Sequence, residues 1–296
     1  MKQYIKFLIR LTITVLLIIY LFKKIDFSNV LRSIVLINPV VFFLASFLYI
    51  LSSYISTLRW KIFLSERELK TSNLFSLYLI GSFFNNFLPG IIGGDIVKIF
   101  MLKEKTGLKQ AFASVFMERY TGLAALLSIG LISFCLFYPK LPKNLLIWSV
   151  PASFALFLSG SILFLIFGRF KFFKLWRDYF FSFNIKQIFR AFLFSILIQL
   201  TVINSVYIIF TGLNLPISFF ELVIFMPVII LISMLPISVS GIGVREWCFV
   251  LFFGSSTGNS NAIAVSFLWF LSQVFASLIG GIEYLRIKNF LNMKKE

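Results

Sequence analysis

Apolar residues fill six runs of 19 to 28 positions along this chain, and charged residues gather in the short stretches between them. The runs are Tyr4–Phe22, Val40–Leu58, Gln110–Phe137, Leu145–Phe167, Gln187–Thr211 and Ala262–Leu285. About 20 apolar residues of helix cross a bilayer core, so each run predicts a transmembrane helix. Two further stretches, Ser72–Leu102 and Phe219–Phe253, are equally apolar but interrupted. The first breaks at Asn85-Asn86-Phe87-Leu88-Pro89-Gly90-Ile91-Ile92-Gly93-Gly94-Asp95, the second at Leu235-Pro236-Ile237-Ser238-Val239-Ser240-Gly241-Ile242-Gly243. Their Leu-Pro turns stand 147 residues apart. Irregular backbone survives at membrane depth only where protein covers it or it lines a cavity. Paired Gly/Pro-interrupted segments in two halves of a chain point to a transport site.

The distribution of Lys and Arg sets the topology. If both broken segments are hairpins that return to the side they entered from, 20 Lys and Arg fall inside and 5 outside. If each crosses once, the division is 13 against 12, and the positive-inside rule selects the hairpins. The expected fold is an all-α integral membrane protein. It has about six full transmembrane helices and two broken re-entrant hairpins in an inverted-repeat architecture. It forms one polytopic domain over 1–296, with pseudo-repeats of about 1–143 and 144–296. Both termini are then cytoplasmic, and the hairpin tips meet near the bilayer midplane.

Composition narrows the function classes. The 296 residues are 59% hydrophobic and 13% charged, with mean hydropathy +0.97, far from a soluble domain with about 25% charged residues. The net charge of +17 belongs to membrane-flanking loops, and no nucleic-acid partner is expected. The chain has no histidine, which excludes His-ligated zinc, Ser-His-Asp triads and His proton relays. No metal site and no cofactor are expected. Cys135 and Cys248 sit in apolar context and are expected as small buried hydrophobes.

Three cations remain at membrane depth after the loops are counted: Lys98, Arg119 and Arg245. Asp95, Glu118 and Glu246 stand beside them. Ionisable residues there are expensive and each needs a partner or water. Asp95 and Lys98, three apart, share a helix face. Gly93-Gly94 and Gly241-Ile242-Gly243 precede helix starts, where free N–H groups attract anions and glycine lets a headgroup approach. Ser238 and Ser240 are candidate caps for the second of these helices. The candidate substrate-binding set is therefore Asn86, Gly93, Gly94, Asp95, Lys98, Glu118, Arg119, Gly241, Gly243, Arg245 and Glu246, around a midplane cavity suited to a phosphate. The same acids and bases also suit structural ion pairs that pin the hairpins to the bundle. Asn85, Gln199, Asn204 and Gln273 either line the cavity or bond between helices, and Gly280-Gly281 suits close helix packing.

These motifs resemble a known family. Asn86-Phe87-Leu88-Pro89-Gly90, Gly93-Gly94-Asp95, Ser114 through Glu118-Arg119 with Gly122, and Pro236 through Glu246 are similar to the lysylphosphatidylglycerol synthase transmembrane-region, or flippase-like, family. The resemblance implies a multi-pass membrane protein that moves lipids between leaflets. The substrates it suggests are aminoacylated phosphatidylglycerol, other anionic phospholipids or polyprenyl-linked lipids. Members that aminoacylate lipid carry a soluble synthase domain after the membrane part. This chain stops at Glu296, so it is expected to be no enzyme. The expected partner is a lipid substrate in the cell membrane. The competing expectation is a non-transporting scaffold for a membrane-associated synthase or glycosyltransferase. A membrane-embedded transferase using Asp95 and Glu246 ranks last, since no nucleotide motif accompanies them.

Overall fold

The computed structural model describes residue 12 and residues 27–64, 69–87, 93–140, 145–167, 183–235 and 237–293. The first expected span, Tyr4–Phe22, lies outside them, as do Leu88-Pro89-Gly90-Ile91-Ile92 and Pro236. The fold is all-α. Its helices are α1 (Phe27–Leu36), α2 (Pro39–Ile62), α3 (Thr71–Phe87), α4 (Gly93–Thr106) and α5 (Leu108–Phe137), followed by α6 (Ser149–Phe167), α7 (Ile185–Gly212), α8 (Phe219–Met234), α9 (Val244–Thr257) and α10 (Asn259–Met293). Among the described residues, five segments are long and apolar enough to span a bilayer, namely α2, α5, α7, the bulk of α10, and α6 with the 3-10 turn before it. They match five of the six expected runs.

Local chemistry fixes several helix starts. Asn38 caps α2 by accepting from the Val40 N–H at 2.9 Å, with Pro39 in the first turn, where its missing donor costs nothing. Asn184 and Gln187 form a reciprocal capping box at the start of α7. One stretch departs from expectation. Residues 27–36, which belong to none of the expected apolar runs, form α1, which seats Val30 against Ile263 and Ala264 of α10.

Each broken segment is two short helices packed on one another, α3 on α4 and α8 on α9. Helices of 14 to 17 residues reach about 21–26 Å, short of the ~30 Å hydrocarbon core. The packing has an internal correspondence. Call α2–α5 the leading half and α7–α10 the trailing half. The contact of α3 with α10 has its image in α8 with α5, and α4 with α5 in α9 with α10. Likewise α2 with α10 answers to α7 with α5, while the α2–α7 contact, the most extensive, is its own image. The 3-10 turn Val239–Gly241 at the second break packs against α3, so the two hairpins touch.

Glycine sets the closeness of these contacts. A Cβ on Gly94 would collide with the Gly81 carbonyl, and one on Gly280 with the Leu79 carbonyl. Gly280-Gly281 is thus the close helix contact expected. Between the halves, Gly130 of α5 receives the Pro227 ring of α8. Apolar packing is lopsided. The largest core joins α7, α8, α9 and α10 around Phe210, Phe249 and Phe253, and a smaller one around Trp60 and Leu74 joins α2 to α5.

Cys248 is buried, but Cys135 is exposed on α5, contrary to expectation. The burial habit of free cysteine comes from proteins in water, whereas lipid accepts an exposed apolar side chain without cost.

Gly280→Ala should lower the thermal midpoint in detergent by the equivalent of about 1–3 kcal/mol, because the obstruction is backbone and cannot swing aside. Gly160→Ala, where a Cβ meets nothing within 4 Å, should leave the midpoint unchanged or raise it.

Candidate functional site

A cavity of about 280 Å³ lies between the two halves, lined by α2, α3, α4 and α5 on one side and by α7, α8 and α10 on the other. Its polar wall comes from one face of α2. Tyr49, Ser52, Ser53, Ser56 and Arg59 recur at helical spacing in a segment otherwise apolar. Asn85, Gln199 and Gln273 also line it, as anticipated, while Asn204 is exposed and absent from the lining.

At one end the cavity meets five buried or half-buried ions in one chain of contacts. Asp95 and Lys98, one turn apart on α4, bridge at 3.2 Å. Arg119 of α5 grips Asp95 with two hydrogen bonds, Nε to Oδ2 at 2.9 Å and Nη2 to Oδ1 at 3.0 Å. Lys98 also donates to Glu118 Oε2 at 2.8 Å. Glu118 Oε1 accepts from Arg59 Nη2 at 2.8 Å and from the Tyr78 hydroxyl at 2.9 Å. Arg59 Nη1 then donates to Ser195 Oγ on α7 at 2.9 Å, which ties the network to the trailing half.

Each group has a distinct standing. Lys98 is enclosed by its two carboxylates and by the rings of Trp60 and Tyr78, 5.0 and 4.5 Å from its ammonium. Glu118 is wholly buried. The Arg119 side chain is 35% exposed, the most accessible of the five. Arg59 Nε is buried with no hydrogen-bond partner among the described residues, an expensive condition for a charged donor. Three cations against two carboxylates leave the cluster a formal charge of +1. The first helix start is satisfied in part by Asn85, whose side-chain oxygen accepts from the Gly94 N–H at 2.8 Å. Gly93 opens α4 but is not among the cavity-lining residues, and Asn86 keeps a buried Nδ2 without a partner among the described residues.

The second cluster is separate. Arg245 pairs with Glu246 through Nη2 at 2.8 Å and Nε at 3.2 Å, and Ser266 Oγ bonds to both. Glu246 Oε2 also accepts from the Gly243 N–H, so the carboxylate occupies the anion seat at the start of α9. The capping expected of Ser238 and Ser240 is therefore done by Glu246. Ser238 Oγ is buried without a partner among the described residues, while Ser240 and Gly241 form the left-handed turn before α9, at φ 51° and 75°. Between the clusters stands Trp269, which lines the cavity and lies 5.9 Å from the Arg245 guanidinium. The structure thus brings Asp95, Lys98, Glu118 and Arg119 together and keeps Arg245 and Glu246 apart from them.

The hairpin that breaks at Gly93-Gly94, the Glu118-Arg119 pair on the next span and the Gly241-to-Glu246 start of α9 all now have their place. The family model for the lysylphosphatidylglycerol synthase TM region matches residues 7–281. The chain belongs to this family. It is therefore a multi-pass membrane protein of the lysylphosphatidylglycerol synthase TM-region type, and its helices carry the apolar character the family requires. A search among curated proteins returned no match.

Arg59 is the residue missed by sequence reasoning, which assigned it to a cytoplasmic loop. It sits in α2, three residues before the helix ends, and is 5% exposed. The polar stripe Ser52, Ser56, Arg59 was the available sign. The 147-residue offset of the Leu-Pro turns also separates Lys98 from Arg245 and Arg119 from Ser266. At those positions of the trailing half stands the Arg245–Glu246 pair, which is formally neutral, with Ser266 beside it.

Glu118→Ala would leave Arg59 and Lys98, both buried, each short of a carboxylate. Thermal unfolding in detergent should show a loss of about 3–5 kcal/mol. Glu283→Ala, whose partner Arg286 is largely exposed, should show no measurable change.

Proposed function

We propose that this protein moves a lipid between leaflets, with the headgroup seated in the cavity between the halves and the acyl chains left in the surrounding bilayer. The observation that carries the reading is the cavity's termination on an ion network with one excess positive charge, whose Arg119 side chain is 35% exposed. A volume of about 280 Å³ suits a headgroup and is far too small for acyl chains. Membership of the lysylphosphatidylglycerol synthase TM-region family supports a lipid substrate. The headgroup classes in question are anionic phospholipids, aminoacylated phospholipids and polyprenyl-linked lipids.

The mechanism follows from the exchange symmetry of the packing. On this reading α2–α5 and α7–α10 are inverted repeats, and the two hairpins are re-entrant from opposite leaflets. The termini are then cytoplasmic in the cell membrane, as the Lys and Arg distribution requires. Rocking of one half against the other about the α2–α7 contact exposes the cavity alternately to each leaflet. The Arg59–Ser195 bond and the contact of the second tip with α3 are the links that must yield. Arg119, the accessible cation, meets the headgroup phosphate first. Arg59, paired with Glu118 deeper in, adds to the positive field. Asp95 and Glu118 hold these cations in place.

In vesicles of phosphatidylcholine and phosphatidylglycerol, reconstituted protein should accelerate exchange of acyl-labelled phosphatidylglycerol. Arg119→Ala and Arg59→Lys should each slow that exchange at least tenfold while remaining folded by size-exclusion profile. Undiminished exchange in both variants would count decisively against the site. Purified protein that captures a synthase or glycosyltransferase yet never accelerates exchange would favour the scaffold role instead.

A further inference from the structure

We infer that this cavity selects a headgroup carrying a single net negative charge and excludes headgroups that bear basic amines, aminoacyl esters included. The inference rests on the reading of the cavity as a headgroup site and goes further, to the class of headgroup.

The first ground is charge. Arg59, Lys98 and Arg119 against Asp95 and Glu118 leave one positive charge at the cavity end. The nearby Arg245–Glu246 pair is formally neutral and stands behind Trp269. Net charge is expensive where the surroundings are apolar, so the bound state favours the ligand that cancels it. A phosphodiester monoanion brings the site to zero. A choline or ethanolamine zwitterion leaves it at plus one, and a lysyl ester of phosphatidylglycerol, with two ammonium groups, raises it to plus two. A diphosphate overshoots to the negative side.

The second ground is hydrogen-bond capacity. A buried ammonium needs anionic acceptors, and the two carboxylates here are already engaged. Asp95 takes two bonds from Arg119 and one contact from Lys98. Glu118 takes Arg59 and Tyr78 on one oxygen and Lys98 on the other. A carboxylate offers about four lone-pair sites in all, so little is left for a ligand amine. The accessible group points the other way: the Arg119 guanidinium, in a side chain 35% exposed on the cavity wall, is a donor that a ligand can reach. Anion complementarity and amine rejection thus arise from the same arrangement, attraction for one class and repulsion for the other.

The test is competitive binding to the purified protein in neutral detergent, read by native mass spectrometry. The probes are phosphatidylglycerol, phosphatidylcholine and lysylphosphatidylglycerol with identical acyl chains. Phosphatidylglycerol should be retained at least tenfold over each of the others. Lysylphosphatidylglycerol retained as well as phosphatidylglycerol overturns the inference. Gln273→Glu adds a carboxylate to the cavity wall, brings the site to zero and should erase the tenfold preference, with less phosphatidylglycerol and several-fold more phosphatidylcholine and lysylphosphatidylglycerol bound. An unchanged ratio in the folded variant also overturns it. If that variant fails to fold, the wild-type ratio decides alone. Vesicle exchange separates the two readings. Selective binding without exchange sinks transport and leaves the selectivity standing. Exchange of every headgroup with equal binding does the reverse, and retention of no lipid removes both.

Discussion

Five ionised side chains inside an apolar bundle are tolerable only as a connected set, and that requirement organises this molecule. Each carboxylate serves more than one cation: Asp95 holds Arg119 and Lys98, and Glu118 holds Lys98 and Arg59. Neither carboxylate can be withdrawn alone without stranding a cation, Arg119 in the case of Asp95 and Arg59 in the case of Glu118, at a cost of several kcal/mol per ion. The set therefore locks α2, α4 and α5 into one register, with Tyr78 bringing in α3 and Ser195 bringing in α7. What makes the site expensive also makes it rigid. A rigid wall of fixed charge is what a headgroup would recognise.

The network could not form without close backbone approach. Lys98 reaches Glu118 because α3 and α4 meet at Gly81 and Gly94, and α3 is pressed into place by α10 at Gly280. Association of helices in lipid depends on such small-residue contacts, since apolar side chains gain little by leaving lipid for protein. The geometry of the ions is thus inherited from residues that carry no chemistry at all. Gly94 illustrates this twice, since its missing Cβ admits the Gly81 carbonyl while its N–H is taken by Asn85.

The two halves share a packing scheme and divide the work unequally. The trailing half holds most of the large apolar core, and its ionic residues cancel locally, with Glu246 filling the helix start and neutralising Arg245. The leading half holds the uncancelled charge. In the proposed mechanism the first is the anchor and the second the recognition element, joined across the cavity by Arg59–Ser195 and by the hairpin contact.

Much of this was legible along the chain. Apolar run lengths identified the spans, because bilayer thickness leaves a helix no other solution. The Gly/Pro interruptions identified the two hairpin segments, and ions within apolar sequence singled out Asp95, Lys98, Glu118 and Arg119, because burial of unpaired charge is forbidden. The sequence could not say with whom each ion pairs. Arg245 looked equivalent to Lys98 until packing set it behind Trp269 with its own neighbour as partner. Arg59 looked like a loop residue until α2 carried it inward to Glu118. Burial and period are properties of one segment and can be read from it. Pairing depends on distances between segments, which are fixed only when glycines and large side chains settle how closely the helices approach.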